Sequence, residues 1–143
     1  DDKARLDLRW ENVRVSMGLH ADATQQAIAN IREALSNPDA DFRAYHGSAR
    51  FCLDRDIMHL EALGWAKKSV EMDRKFWNLH TLALAQARNG DLDGAIATAK
   101  ESLKMAEAAK YDAYIKMNKD RIAEWNALLR KRSTLSAPPP VSE

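Results

Sequence analysis

The segment AKKSVEM at residues 66–72 returns as AKESLKM at residues 99–105, 33 residues later. At that offset Ala62 matches Ala95, Ala66 matches Ala99, Lys67 matches Lys100, Ser69 matches Ser102 and Met72 matches Met105. Leu63 pairs with Ile96 and Val70 with Leu103. Small residues at steps of four and then three let a neighbouring helix approach closely, while the aliphatics between them fill the groove. Each unit then has one bare apolar face and is stable only when stacked on another.

The flanking sequence supplies the other helices. Asp22 or Thr24 can cap a first helix whose inward residues are Ala27, Ile28, Ile31 and Leu35. Ser36-Asn37-Pro38 ends it and suits the start of a second, with Asn37 as N-cap and Phe42, Tyr45, Ala49, Cys52 and Leu53 on one stripe. A third is expected from about 57 to 72 and a fourth from about 75 to 89. Asn89-Gly90 is a strong stop, and Asp91 can cap a fifth helix reaching about 109. The sixth, about 111–132, carries Tyr111, Ile115, Asn118, Ile122, Trp125 and Leu129 as one seam. Residues 133–143, STLSAPPPVSE, read as a disordered tail.

Residues 5–19 follow a different period. Leu6, Leu8 and Trp10 alternate with polar residues, and Val13, Val15 and Met17 alternate in the opposite phase. A two-residue turn at Glu11-Asn12 explains the flip and pairs Trp10 with Val13, Leu8 with Val15 and Leu6 with Met17. A single bulged strand is the alternative. The fold class expected is mainly α: an antiparallel helix-hairpin stack of about six helices behind a short β-hairpin or strand. The domains expected are 1–20, 21–132 and the tail.

Composition narrows the partners. With 22 basic and 21 acidic residues, the net charge of +1 offers no footprint for nucleic acid. No apolar run suits membrane insertion. A lone Cys52 excludes an internal disulfide and a cysteine metal site. The chain opens Asp1-Asp2-Lys3 without a start Met or signal pattern, which reads as a processed form or an excised piece.

The period and the residues Ala62, Ala66 and Ser69 in one unit, and Leu82, Ala83, Gly90, Ala95, Ala99 and Ser102 in the next, resemble the tetratricopeptide (TPR) repeat, in two degenerate units. Arg74 and Glu107 stand where that repeat has proline, and its aromatic slots are poorly filled. LRWENVRVSM, the stretch ALGWAKKSVEMDRKFWNLHTLALAQARNGDLDGAIATAKESLKMAEAA and YIKMNKDRIAEW are similar to the C-terminal region of a family of bacterial exported proteins of unknown function. That resemblance, over residues 5–127, implies a TPR-like domain following a β-rich domain, a periplasmic or secreted parent, and a hairpin belonging to or abutting that β-domain. It carries no catalytic residues.

Nor do the residues themselves assemble a catalytic pattern. His20, His46, His59 and His80 form no HExxH or paired spacing, and His59 beside Glu61 reads as a surface imidazole. Cys52 sits on an apolar stripe as a structural thiol, and Asp91 reads as a cap. No enzyme, metal or cofactor is expected. In TPR arrays the inner face of each first helix lines a groove. Carried over, that face places Phe51, Arg55, Trp77, His80, Leu84 and Arg88 in a partner-binding groove, with Arg55 and Arg88 equivalent at 33 residues. Two guanidinium groups there would suit a carboxylate of a protein or peptide, or each would simply favour its helix C-terminus. Trp77 reads as a plug between helix pairs ahead of an exposed platform, and Trp65 and Trp125 read as core. The other partner readings are an adjoining β-domain and a homodimer through the N-terminal β segment.

Overall fold

The computed structural model describes residues 3–11, 13–20 and 23–136. The chain divides into two compact units, residues 1–38 and 39–143.

In the first unit, β1 (Lys3–Trp10) pairs antiparallel with β2 (Val13–His20) in the expected register, Leu6 opposite Met17, Leu8 opposite Val15 and Trp10 opposite Val13. The alternation therefore makes a hairpin, not one bulged strand. Glu11 opens the turn at φ 49°, the left-handed region that two-residue hairpin loops use. One face is held by Asp7, whose carboxylate accepts from Ser16 Oγ and Arg14 Nη2, both at 2.6 Å. The other face is apolar and open: Leu6, Leu8, Val15 and Met17 are about half exposed and Trp10 is 79% exposed. Helix α1 (Ala23–Ser36) follows and ends at the expected Ser36-Asn37-Pro38. Thr24 lies inside it; Asp22, the other expected cap, lies outside the described residues.

The second unit holds α2 (Phe42–Asp54), α3 (His59–Met72), α4 (Phe76–Arg88), α5 (Leu92–Ala108) and α6 (Asp112–Ser136). Helix α2 starts later than Asn37-Pro38 suggests. Asp41 is its cap, because that carboxylate reaches the first-turn amides of Arg43 (2.9 Å) and Ala44 (3.0 Å). Asp91 caps α5 as expected, accepting from the Gly94 amide at 2.9 Å. Helix α6 runs one turn beyond its expected end, so residues 133–136 are helical; the rest of the expected tail, 137–143, lies outside the described residues. Among the described residues no helix is long and apolar enough to cross a membrane.

Three helix ends share one device. Asp56, Gly90 and Lys110 all take positive φ, and the next amide bonds back to a carbonyl five residues earlier: Ile57 to Cys52, Asp91 to Gln86 and Tyr111 to Ala106, at 2.9–3.0 Å. This is the Schellman closure. It reverses the chain within a few residues, so α2 packs on α3, α4 on α5 and α5 on α6; α3 packs on α4 across a link with Asp73 and Lys75 extended. In addition α2 packs on α4 and α4 on α6, while α3 and α5 do not touch. The stack thus has an inner row, α2, α4 and α6, backed by α3 and α5.

The repeated residues occupy matching places. Ala62, Ala66 and Ser69 of α3, and Ala95, Ala99 and Ser102 of α5, are each at most 1% exposed. Ala62 and Ala66 join Ala49, Cys52, Leu53 and Ala85 in one cluster. Ala95 and Ala99 join Ala83, Ile96 and Trp125 in the next. Trp65 packs partly buried on the first cluster, and Trp125 is core.

The two serines act alike. Ser69 Oγ donates to Phe42 O (2.8 Å) and accepts from Asn78 Nδ2 (3.1 Å). Ser102 Oγ donates to Phe76 O (2.6 Å) and accepts from Asn118 Nδ2 (2.8 Å). Each hydroxyl therefore ties a backing helix to the start of its own inner helix and to the next inner helix.

Ala99→Leu is expected to destabilise the stack by about 1–3 kcal/mol through overpacking. Ser69→Ala and Ser102→Ala should each cost about 1–3 kcal/mol by stranding buried partners. Urea unfolding checks this; a serine variant as stable as the parent would show that the hydroxyl adds nothing to the stack.

Candidate interaction groove

The inner row presents three adjoining clefts. The first, at the starts of α4 and α6, is lined by Arg43, His46, Phe76, Trp77, Tyr111 and Tyr114 and measures about 390 Å³. The middle one is lined by Arg50, His80, Leu84, Met117, Asp120, Arg121 and Glu124. The third shares Leu84, Arg121 and Glu124 and adds Ala87, Arg88, Leu92, Trp125 and Leu128.

Of the six residues read from sequence, Trp77, His80, Leu84 and Arg88 line these clefts, all from α4. Phe51 and Arg55 line none of the three. Phe51 packs on the α2–α3 core, and the Arg55 guanidinium lies over its ring at 5.2 Å. The reason is one residue of loop. Residues 55–58 join α2 to α3, while only residues 89–91 join α4 to α5. The backing helices therefore repeat at 33 residues, but the inner helices repeat at 34: Phe42 with Phe76, His46 with His80, Ala49 with Ala83. One residue is about 100° of helix rotation. The α2 residues on the groove are consequently Arg43, His46 and Arg50. The clue was present in sequence as the Phe42/Phe76 and His46/His80 matches. From α6 come Tyr111 at its entry, Tyr114 and Arg121, which the seam pattern mostly passes over.

Three of the groove's cations are closely engaged. Arg50 Nε bonds both Asp54 carboxylate oxygens at 3.0 Å, Arg121 bonds Glu124 at 2.7 Å, and Arg88 pairs with Asp56. So Arg55 and Arg88 do not form a shared grip: one stacks on a ring and the other meets a carboxylate of the preceding loop.

Two imidazoles lie beneath. His80 is 2% exposed, with Nδ1 at 2.8 Å from Asn118 Oδ1. Asn118 uses its amide hydrogens on Ser102 Oγ and Tyr114 O, so its oxygen accepts and His80 Nδ1 carries the proton. His46 Nε2 sits 3.0 Å from Thr81 Oγ1, whose own hydrogen goes to Trp77 O, so His46 donates there. Burial lowers both pKa values, and the Arg50 charge lowers them further; the Asn118 bond opposes this at His80. Burial raises the Tyr114 phenol. Trp77 is half-buried, stacked on Phe42 (5.7 Å) and edge-on to His46 (4.5 Å), so it both plugs the α2–α4 contact and walls the first cleft.

Cys52 is fully buried, and burial followed by Glu61 raises its pKa, the opposite of what a nucleophilic thiol needs. Among the described residues no group of three His, Cys, Asp or Glu side chains could hold a metal ion.

Because both histidines have folded pKa values below their unfolded value of about 6.5, the unfolded chain binds the extra protons. Their contribution to stability is complete above about pH 6.5 and is lost as pH falls from there through the folded values. Thermal melts from pH 7.5 to 5 should show that loss, and His46→Gln/His80→Gln should flatten it. An equal slope in the double variant would point to other groups.

Comparison with family models, with curated proteins and with solved structures finds no match to this chain at a significant level.

Proposed function

We propose that the chain is a non-catalytic interaction module whose inner row, α2, α4 and α6, holds an extended stretch of a protein or peptide partner. The observation that carries this is the aromatic cleft. It gathers Phe76, Trp77, Tyr111 and Tyr114 at the starts of α4 and α6. Aromatic side chains with a polar tip supply large contact area and orientation together. The TPR-like repeat supports the reading, since stacked hairpins make extended inner surfaces. The resemblance to exported bacterial proteins extends it to a periplasmic or secreted parent.

The test is a peptide-array screen of the chain against Tyr111→Glu/Arg88→Glu/Leu128→Glu, which places charge on exposed positions at both ends of the groove. The variant should lose its hits by more than ten-fold, about 1.4 kcal/mol. If it folds with the parent's circular dichroism and keeps the same hits, the groove is not where peptides bind.

The exposed apolar face of the hairpin favours a second reading, a structural accessory that packs on an adjoining β-domain. Two strands alone are marginal in water, so such a face is normally covered. Deleting residues 1–20 should then improve solubility while leaving the melting temperature of the helical stack in place. If the deletion changes neither solubility nor self-association, the hairpin is not an interface.

A further inference from the structure

We propose that the aromatic cleft takes a proline-rich segment in the polyproline II conformation with a carboxylate beside it; this names the partner of the groove proposed above and rests on that reading. The lining rings belong to two packed groups. Trp77 is grouped with Phe42 and His46 on one side, and Phe76 with Tyr111 (5.3 Å) and Tyr114 (5.1 Å) on the other. The rings carry three polar tips, the Trp77 indole N–H and the Tyr111 and Tyr114 hydroxyls. None of the three makes a hydrogen bond among the described residues. No carboxylate or amide side chain lines the cleft; its remaining polar members are Arg43 and His46. The cleft therefore offers ring faces, the indole donor and two hydroxyls that both donate and accept, and no carboxylate or amide side chain.

That inventory selects the occupant. A proline-rich backbone brings carbonyl acceptors without N–H donors of its own, and its flat rings lie on aromatic faces. It is also extended before binding, so little ordering entropy opposes association. An ordinary extended peptide would bring an amide hydrogen at every residue, against which the lining side chains set only two hydroxyls and a ring nitrogen as acceptors. A docked helix would leave the cleft's donors unanswered, because its carbonyls are bonded internally. An ammonium group would suit the rings but not Arg43, the one formal charge lining the cleft. Arg43 holds Asp41 only at 3.4 Å with its side chain 74% exposed, which leaves it able to meet a ligand carboxylate.

The probe is a fluorescently labelled peptide of sequence PPPPPE, with AAAAAE and PPPPPK as comparisons, titrated by anisotropy against the full chain. PPPPPE should bind at least ten-fold tighter than AAAAAE, and more tightly than PPPPPK. Tyr111→Phe, which removes only a hydroxyl from a half-exposed ring, and Arg43→Ala should each weaken PPPPPE about five-fold. Trp77→Ala should abolish binding; since Trp77 also supports Phe42 and His46, the two surface variants decide the question if it unfolds. Equal binding of PPPPPE and AAAAAE, or no binding of PPPPPE at about 1 mM, overturns the proposal. In either case, array hits that vanish in the groove variant would leave the groove reading standing with a different ligand.

Discussion

Two buried hydroxyls hold the stack in register. Ser69 and Ser102 each sit where a backing helix meets two inner helices, donating to one and accepting from the other. This works only where backbones come close, which is why alanines lie three and seven residues before each serine, at Ala66 and Ala62 and at Ala99 and Ala95. The bulk elsewhere in each cluster comes from Leu53, Ile96 and Trp125. Apolar contact between alanine faces is smooth and would tolerate sliding. A hydroxyl that must find one particular carbonyl, that of the first residue of α2 or α4, does not tolerate it. Packing thus gives the stack its stability, and the serines select its alignment.

The same bonds set the floor of the groove. Asn118 accepts from His80 while donating to Ser102, so the backing-helix contact and the groove histidine belong to one chain of hydrogen bonds. With the imidazole held neutral by burial, the floor carries no charge of its own. Arg50, Arg88 and Arg121 are tied to Asp54, Asp56 and Glu124. What remains to distinguish one end of the groove from the other is the aromatic surface where α4 and α6 begin, with the exposed Arg43 beside it.

Much of this was legible in the residues. The phase flip between Trp10 and Val13 defines a hairpin register, because alternation by two forbids a one-residue slip and a two-residue turn fixes which of the remaining pairings forms. The 33-residue match identifies two equivalent helices, since the alanines and serine serve the same close approach twice. Gly90 announces a helix end, but Asp56 and Lys110 do the same work without glycine; aspartate tolerates the left-handed backbone better than most residues, whereas nothing in a lysine signals it. The start of α2 was obscured by Asn37-Pro38, a capping pair by composition that lies before the helix; Asp41 captures the amides instead. The groove was half legible. Its α4 members follow from the repeat, whereas its α2 members depend on a loop one residue longer than its counterpart, and a repeat aligned on one row of helices does not fix the other row. The aromatic cleft brings together residues from α2, α4 and α6 whose proximity only the packing of the inner row creates.

The two unfinished surfaces of the molecule differ in kind. The hairpin's apolar face is a matter of stability: Leu6, Leu8, Trp10, Val15 and Met17 gain by leaving water, and anything apolar of suitable shape would serve. Such a face says little about its occupant. The cleft lies in a unit whose core is already closed; among the described residues Gln86 Oε1 is the one buried side-chain polar atom without a partner. Its open donors stand at the rim of rings that are already packed, so the stack does not need them answered in order to fold. Groups that folding leaves unused, held in place by elements that folding has made rigid, are the ones available for recognition. The hairpin's open face is therefore a question of stability, and the open groups of the cleft are not.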